Sequence, residues 1–290
     1  MKLRHTFAVL VAGFLSAHVV FASPGPPIQP GERLKYWVSW AILPGAGEIT
    51  VSANPIRSDR LTITTTTSTR GLARLLLPFD AASDSIYDVA TGRLLSLHER
   101  SQTRGKHVEH IVTFDYASHT ALYATLGQTT ARTLAMPPGE PTDLIAALLE
   151  TRTWNLQPGE ARDALVLFND DFYLLTIHAL RYENVTTDLG SFRTLVLEPR
   201  MEKTAPKGMF RKGSKVHVWI AQDDRHLPVK FEVEFSIGTG TATLESYQAP
   251  IPPPSANGTV GPQSGELSAG ANPDKQPRAS APGSGSADPK

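Results

Sequence analysis

The stretch that decides the fold is Lys215 to Tyr247, with the sequence KVHVWIAQDDRHLPVKFEVEFSIGTGTATLESY. A turn at its Asp-Asp-Arg-His segment aligns two flanking runs that alternate in the same way. Successive strand residues point to opposite faces, so this alignment sorts apolar residues onto one face and polar residues onto the other. The predicted pairs are Val216–Val233, Val218–Phe231, Ile220–Val229, Lys215–Glu234, His217–Glu232 and Trp219–Lys230, with Trp219 on the polar face. The stretch therefore predicts an antiparallel sheet with one apolar face.

The same pattern extends along most of the chain. A second turn at Gly238–Thr239 is expected to place Leu244 opposite Val233 and Ala242 opposite Phe235. Alternating or β-branched runs predict further strands at 32–42, 48–53, 61–69, 80–88, 93–101, 107–116, 121–125, 164–169, 172–183 and 192–198. We therefore predict a mainly β protein of about a dozen strands.

The strongest helical signal is the segment Thr142 to Trp154. Thr142 follows a proline and is a good N-cap, and Asp143 lies in the first turn, where the helix dipole favours an anion. Leu144, Ile145, Leu148 and Leu149 form one apolar stripe that matches the uncovered face of a sheet. A second, short apolar helix or turn is predicted at 71–77, before Pro78.

Composition excludes several classes of protein. The chain has 290 residues with a formal net charge of +0, so no global field attracts nucleic acid. It has no cysteine, which excludes disulfides, thiolate metal sites and cysteine nucleophiles. We predict no cofactor.

Both ends of the chain differ from its centre. Residues 1–22 read as a secretory signal, with Lys2 and Arg4 before a mostly apolar run; an uncleaved anchor is the alternative. Residues 23–30 form a proline-rich linker, and residues 31–248 form a single β-rich domain. Residues 249–290 are rich in Pro, Gly, Ser and Ala and are predicted to be disordered. No later segment could cross a bilayer.

Several motifs occur together in one order. They are Gly31-Glu32-Arg33-Leu34-Lys35-Tyr36-Trp37-Val38-Ser39-Trp40 followed by Ala46-Gly47, Thr142-Asp143-Leu144, Leu156-Gln157-Pro158-Gly159, Gly190-Ser191-Phe192 and Val218-Trp219-Ile220-Ala221-Gln222-Asp223-Asp224-Arg225-His226-Leu227-Pro228-Val229. Over roughly 31–247 the chain resembles the bacterial exported family known as domain of unknown function 3108. The resemblance implies an envelope protein with an open antiparallel β architecture, and it carries over no catalytic residue. The likeness of that architecture to periplasmic half-barrel lipoprotein carriers is an analogy of fold alone.

Two groups of polar residues invite a chemical interpretation. Asp223, Asp224 and His226 suit acid–base or metal chemistry, but a hairpin turn selects the same residue types, and we favour the turn. His98, His107, Glu109 and His110 are the nearest approach to a metal cluster. A turn near Arg104 places His98 opposite Glu109 and sends His110 to the other face. We therefore predict cross-strand pairs, no metal site and no catalytic residues.

A long curved sheet covered by one helix leaves room for an apolar cavity. We predict an open or incompletely closed antiparallel β-barrel with one covering α-helix, and ligand-binding residues Tyr36, Trp40, Leu144, Leu148, Phe231 and Phe235. The predicted function is non-enzymatic binding of a lipid or acyl ligand in the periplasm or cell envelope. The alternatives are a structural module that contacts other envelope proteins and, last, a hydrolase. A carboxylate or histidine pair converging in the cavity would favour the hydrolase.

Overall fold

The computed structural model describes residues 26–211, 214–235 and 238–252. The predicted signal segment 1–22 lies outside the described residues, as does the predicted tail from residue 253 onward. The described strands are β1 Arg33–Trp40, β2 Leu43–Arg57, β3 Arg60–Thr69, β4 Phe79–Asp88, β5 Leu94–Thr103, β6 Lys106–Asp115, β7 Thr120–Thr125, β8 Arg132–Ala135, β9 Thr142–Asp143, β10 Ala161–Phe168, β11 Asp171–Thr187, β12 Gly190–Arg200, β13 Lys215–Ala221, β14 Pro228–Phe235 and β15 Gly238–Gln248.

These strands form one sheet in the order β8-β7-β6-β5-β4-β3-β2-β1-β15-β14-β13-β12-β11-β10-β9, in which β8 and β9 are the edges. All neighbours pair antiparallel except β9 and β10, which pair in parallel. The sheet does not close by hydrogen bonds, yet it curves far enough for Phe114 of β6 to contact Phe172 of β11, with ring centroids 6.4 Å apart. The predicted open barrel is confirmed.

The helices are short. The first, α1, spans Gly71–Leu76 as predicted, and α2 spans Leu144–Glu150 and continues into a 3₁₀ turn at Thr151–Thr153. A further 3₁₀ turn is Gly208–Phe210. Within the described ranges, no helix has the length and apolar character needed to cross a membrane.

The start of α2 differs from the prediction. Thr142 is not the N-cap, because it belongs to the edge strand β9. Asp143 caps the helix instead, and its Oδ1 accepts a hydrogen bond of 2.8 Å from the backbone N–H of Ala146. Hydrogen bonding to β10 therefore draws Thr142 into the sheet.

The register of the deciding hairpin is confirmed over most of its length. Lys215 pairs with Glu234, and the pairing runs as predicted to Trp219 opposite Lys230. One prediction is wrong: Ile220 pairs with Pro228 and not with Val229, because the register shifts between Trp219 and Ile220. A proline cannot donate to the ladder, which explains why regular pairing stops here.

The predicted register of the next hairpin is also wrong. Ala242 lies opposite Phe231, and Phe235 lies opposite Gly238. The error is an even number of residues, so it leaves every side chain on its predicted face, and alternation alone does not detect it. Gly240 is a strand residue, and a Cβ there would lie 3.2 Å from carbons of the Trp40 indole, so this glycine makes room for a ring.

The concave face of the sheet is apolar, and α2 packs on it. In the β1–β6 half, the buried side chains include Tyr36, Ile63, Leu97 and Val112, which form a cluster with Leu149 of α2. In the β10–β14 half, a second cluster gathers around Leu148 of α2 and contains Leu175, Ile177, Leu197 and Val218. Neighbouring residues of the helix therefore belong to two clusters, and the first cluster also contains residues of β12, β13 and β15, among them Val196, Trp219 and Leu244.

The position of Trp219 was predicted only in part. It lies opposite Lys230 on the convex face, as expected, but the ring is buried. The ammonium of Lys230 lies 4.1 Å from the ring centroid, and Val196 pairs on the other side. The methylene groups of a lysine can cover an apolar ring while the ammonium stays in water. This explains how Trp219 is buried although it lies on the convex face.

A buried ion pair joins the end of α2 to the start of β1. Glu32 is 1% exposed, and its Oε1 accepts a 2.8 Å hydrogen bond from Arg152 Nη2. The same guanidinium nitrogen donates to the backbone carbonyl of Arg225. Within the predicted linker, Ile28 is buried and belongs to the core of the β1–β6 half.

Candidate binding cleft

A cleft of about 270 Å³ lies on the concave face between strands β3–β6 and the start of α2. Two cross-strand rows form its floor, because pairing sets residues of four strands side by side. The inner row is Thr65, Ser83, Glu99 and His110, and the outer row is Thr67, Ala81, Ser101 and Val108. Most of these side chains are short. They leave space that longer side chains would fill.

The next row along the same strands is packed. Ile63, Ser85, Leu97 and Val112 are paired in one line and are all buried. The apolar members of this row belong to the same core cluster as Leu149 of α2. The cleft thus ends where the strands change from threonine and serine to branched apolar residues.

The opposite wall is mostly apolar. Leu144 and Ile145 face the cleft from the first turn of α2, and Leu167 and Phe168 face it from the end of β10. One side of the cleft therefore offers hydroxyl and carboxylate oxygens, and the other offers hydrocarbon.

Asp143 is held at the inner end of the cleft by a buried hydrogen-bond network. Its Oδ2 accepts from the hydroxyl of Ser85 at 2.7 Å and from that of Tyr87 at 3.3 Å. The Tyr87 hydroxyl also lies 2.7 Å from the Thr142 hydroxyl. Burial raises the pKa of Asp143, even though the bonds from Ala146 and Ser85 lower it. The network fastens α2 to β4.

Glu99 and His110 form a second polar pair in the cleft. The Nε2–H of His110 donates to Glu99 Oε2 at 2.7 Å, and the imidazole stacks on Tyr123 with centroids 5.0 Å apart. The histidine is buried, whereas the Glu99 side chain is 37% exposed. The pair therefore presents a fixed carboxylate to the cleft.

Two carboxylates and a histidine thus line one cleft, which is the observation that would favour the hydrolase, but the arrangement differs from that of a nucleophile and its general base. His110 Nδ1 is buried and has no hydrogen-bond partner among the described residues. A catalytic histidine needs its free nitrogen within hydrogen-bond reach of a hydroxyl or substrate. His110 lines the cleft, and the hydrogen bond of its ring among the described residues goes to Glu99.

The predicted aromatic binding residues lie elsewhere on the concave face. Tyr36 is buried, donates from its hydroxyl to the carbonyl of Pro228 at 2.9 Å, and meets Phe231 edge-on at 5.2 Å. Trp40 stacks on Phe235 at 5.7 Å. The structure brings these rings together in pairs, and none of the four lines the cleft.

The predicted helical binding residues separate in the same way. Leu144 lines the cleft, whereas Leu148 is buried in the core of the β10–β14 half. The helix therefore contributes its first turn to the cleft and its later turns to packing.

Sequence reasoning missed Glu99, His110 and Asp143 as neighbours. Alternation places Glu99 on the same face as Leu97, so the sequence pattern does indicate a carboxylate on the apolar face. Their convergence with Asp143 depends on the curvature of the sheet, which the sequence pattern does not specify.

His98 and His107 lie outside the cleft, on the convex face. His98 and His107 each bond to Glu109, at 2.7 Å and 3.0 Å, and these bonds, that of His107 first, lower the pKa of Glu109. His110 points to the opposite face, as predicted. The Cα partner of His98 is Ile111 and not Glu109, so the predicted register of this hairpin was wrong by two residues.

The Asp-Asp-Arg-His segment forms a turn. Asp223 accepts from the backbone N–H and the guanidinium of Arg225 in the same loop. The φ of His226 is 46°, a left-handed conformation that turns tolerate. The interpretation as a turn accounts for these contacts.

One convex group has the composition of a metal site. Ligand atoms of His217, Glu232 and Glu234 lie within 4.8 Å of one another. However, the ammonium of Lys230 lies 2.8 Å from Glu232 and already balances its charge. Register places Lys215 opposite Glu234. Glu232 is therefore already paired with a cation of its own strand.

The fold defines the class of protein first: a wide, open antiparallel half-barrel with a helix on its concave face. A solved structure of this kind is the beta-barrel-like protein of domain of unknown function DUF1849 from Brucella abortus, with a TM-score of 0.50 and 10% identity. The similarity covers 76% of this chain and 97% of that one, and it concerns the fold alone.

Residues 35–245 match the family described as protein of unknown function DUF3108. The chain belongs to this family, which confirms the resemblance read from its motifs. No curated protein matches the chain.

Proposed function

We propose that the protein is a non-enzymatic binding protein of the cell envelope that holds an apolar chain in the cleft between β3–β6 and α2. The observation that carries the proposal is the cleft itself, with hydrocarbon on one wall and hydrogen-bonding oxygens on the other. Ligand sites commonly combine apolar walls with a few placed polar groups.

The volume of the cleft limits the ligand. Its 270 Å³ lies just below the roughly 300–1,000 Å³ typical of drug-sized ligands. This is room for one chain end with a small polar group and not for a whole two-chain lipid.

The polar wall favours a ligand group that donates hydrogen bonds. Glu99 offers a carboxylate, and Thr65, Thr67, Ser83 and Ser101 offer hydroxyl oxygens. Arg100 also lines the cleft, but its guanidinium is paired with Asp84. A hydroxyl or ammonium group would meet acceptors here, whereas a carboxylate would meet the charge of Glu99. We therefore infer a long-chain alcohol or amine, or a lipid with such a group.

The test uses two dansyl-labelled undecyl probes that differ only in ending in a hydroxyl or a carboxylate. We expect both to bind the folded chain, the hydroxyl probe more tightly. Thr67→Trp should fill the cleft and weaken binding about tenfold, equal to about 1.4 kcal/mol. Thr66→Trp is the matched control, because Thr66 is exposed on the convex face.

Absence of binding by both probes to folded wild type would contradict the proposal and leave the structural module standing. Equal weakening by Thr66→Trp and Thr67→Trp would place the probe outside the cleft. Tighter binding of the carboxylate probe would reject the inferred head group.

Export is part of the same proposal. It rests on the basic start and apolar run of residues 1–22, which lie outside the described residues. Intact mass of the protein recovered from a bacterial periplasm tests it: we expect loss of residues 1–22, and a full-length mass in the cytoplasmic fraction would contradict it.

A further inference from the structure

One end of the sheet carries an exposed group of large apolar side chains. It consists of Ile42 in the β1–β2 turn and Leu72, Leu75, Leu76 and Leu77 in and after α1, and we call it the apolar end. Leu75 is 79% exposed and Ile42 is 92% exposed, and α1 has no buried residue. Single exposed apolar residues are ordinary, but a continuous group of this kind marks an interaction surface.

Basic residues surround the apolar end. Arg70 and Arg74 flank the start and middle of α1, and Arg104 donates from its guanidinium to the backbone carbonyl of Leu76. Lys106 is the first residue of β6, directly after the turn that contains Arg104. Arg70 pairs with Glu48 and Arg74 with Asp80, which leaves Arg104 and Lys106 as an excess of positive charge.

The same end of the sheet holds the open end of the cleft. Thr67 and Ala81 belong to its outer row, and α1 is the connection between their strands, β3 and β4. Ser101 in the same row lies just before the turn that contains Arg104. The apolar end and the cleft are therefore neighbours along three strands.

We propose that the apolar end docks onto an anionic lipid surface. An apolar helix with basic neighbours inserts its hydrocarbon among acyl chains while its cations meet the lipid head groups. A protein partner would account for the leucines equally well, but the excess of arginine and lysine favours a negatively charged surface. Docking would set the open end of the cleft beside the bilayer.

The test exploits the absence of cysteine, which allows one label at a chosen site. Leu75→Cys carries an environment-sensitive NBD fluorophore, and Ile56→Cys carries it in the control. Ile56 is also exposed, at 52%, but it lies near the β2–β3 turn at the opposite end of the sheet. Each labelled full chain is mixed with phosphatidylcholine vesicles with or without phosphatidylglycerol.

We expect the label at position 75 to shift to the blue and brighten with phosphatidylglycerol vesicles, less so as salt is raised. The label at position 56 should not change. No change at position 75, an equal change at both positions, or an equal response to neutral vesicles would overturn the proposal. A blue shift that grows with protein concentration without vesicles would show self-association and overturn it too. These outcomes concern α1 and are independent of probe binding in the cleft.

Discussion

The two halves of the concave face differ in how they are filled. In the β10–β14 half, Leu148 of α2 belongs to an apolar core with Leu175, Leu197 and Val218, and a smaller cleft of about 200 Å³ lies at its border, lined by Leu195, Ile220 and the residues after α2. In the β3–β6 half, two rows of mostly short side chains leave a cleft beneath the first turn of the same helix. We interpret the packed half as scaffold and the open half as binding site.

The largest expected loss of stability comes from placing a charged side chain in the packed half. Val218→Asp should cost roughly 4 kcal/mol, because it buries a carboxylate without a partner opposite Phe231. Lys230→Ser on the convex face should cost far less. Urea denaturation measures both. Equal losses would contradict the account, because the Lys230 side chain is 24% exposed whereas Val218 is fully buried.

The second effect concerns the connection between the helix and the start of the sheet. Arg152→Met should cost about 3 kcal/mol, because it leaves Glu32 charged, buried and unpaired. Arg93→Met is the control, since its pair with Glu140 is exposed and contributes less than about 1 kcal/mol. If the two variants unfold at the same urea concentration, the buried pair does not hold α2 in place.

A pH dependence follows from Glu150 at the end of α2. Burial first, and then Asp143, raise the pKa of Glu150 from 4.5 to about 7. The folded state therefore binds the proton more tightly than the unfolded state. This contribution to stability is complete below the unfolded pKa and is lost as the pH rises through about 7.

The loss is at most about 3 kcal/mol, at 1.36 kcal/mol per pKa unit. Wild type should therefore unfold at lower urea at pH 8 than at pH 5, and Glu150→Gln should remove this part of the slope. Glu140→Gln, at an exposed position, should leave it unchanged. An unchanged slope in Glu150→Gln would show that Glu150 is not buried in its charged form.

The smallest effect compares one substitution in each half. Leu148→Trp should cost about 1–3 kcal/mol by overpacking the closed core. Thr67→Trp enters open space and should stay within about 1 kcal/mol of wild type. Melting curves measure both. A larger loss for Thr67→Trp would show that the β3–β6 half is as tightly packed as the other.

Much of the fold could be predicted from the sequence. The pairing of Lys215 with Glu234 and of Trp219 with Lys230 followed from alternation, because a slip by one residue would reverse every face. The pairing partner of Ala242 did not follow from alternation, because a slip by an even number of residues leaves every side chain on the same face.

The residues of the cleft could be predicted from the sequence only in part. Leu144 was predicted to line a cavity and does so, but Leu148 is in the core, since one helical stripe serves two different neighbours. Glu99 and Asp143 meet only because the sheet curves and brings the β9 edge over β4. Such long-range contacts leave no periodic signal in either strand.

The most direct test of the account is photo-crosslinking with a long-chain alcohol that carries a diazirine in its chain. We expect cross-links that unlabelled alcohol competes away, on peptides that contain the two cleft rows and the start of α2. These are residues 65–67, 81–83, 99–101, 108–110 and 144–145. Cross-links confined to β12 and β13, or no competed cross-link on the folded chain, would contradict the claim that the open half of the sheet is the binding site.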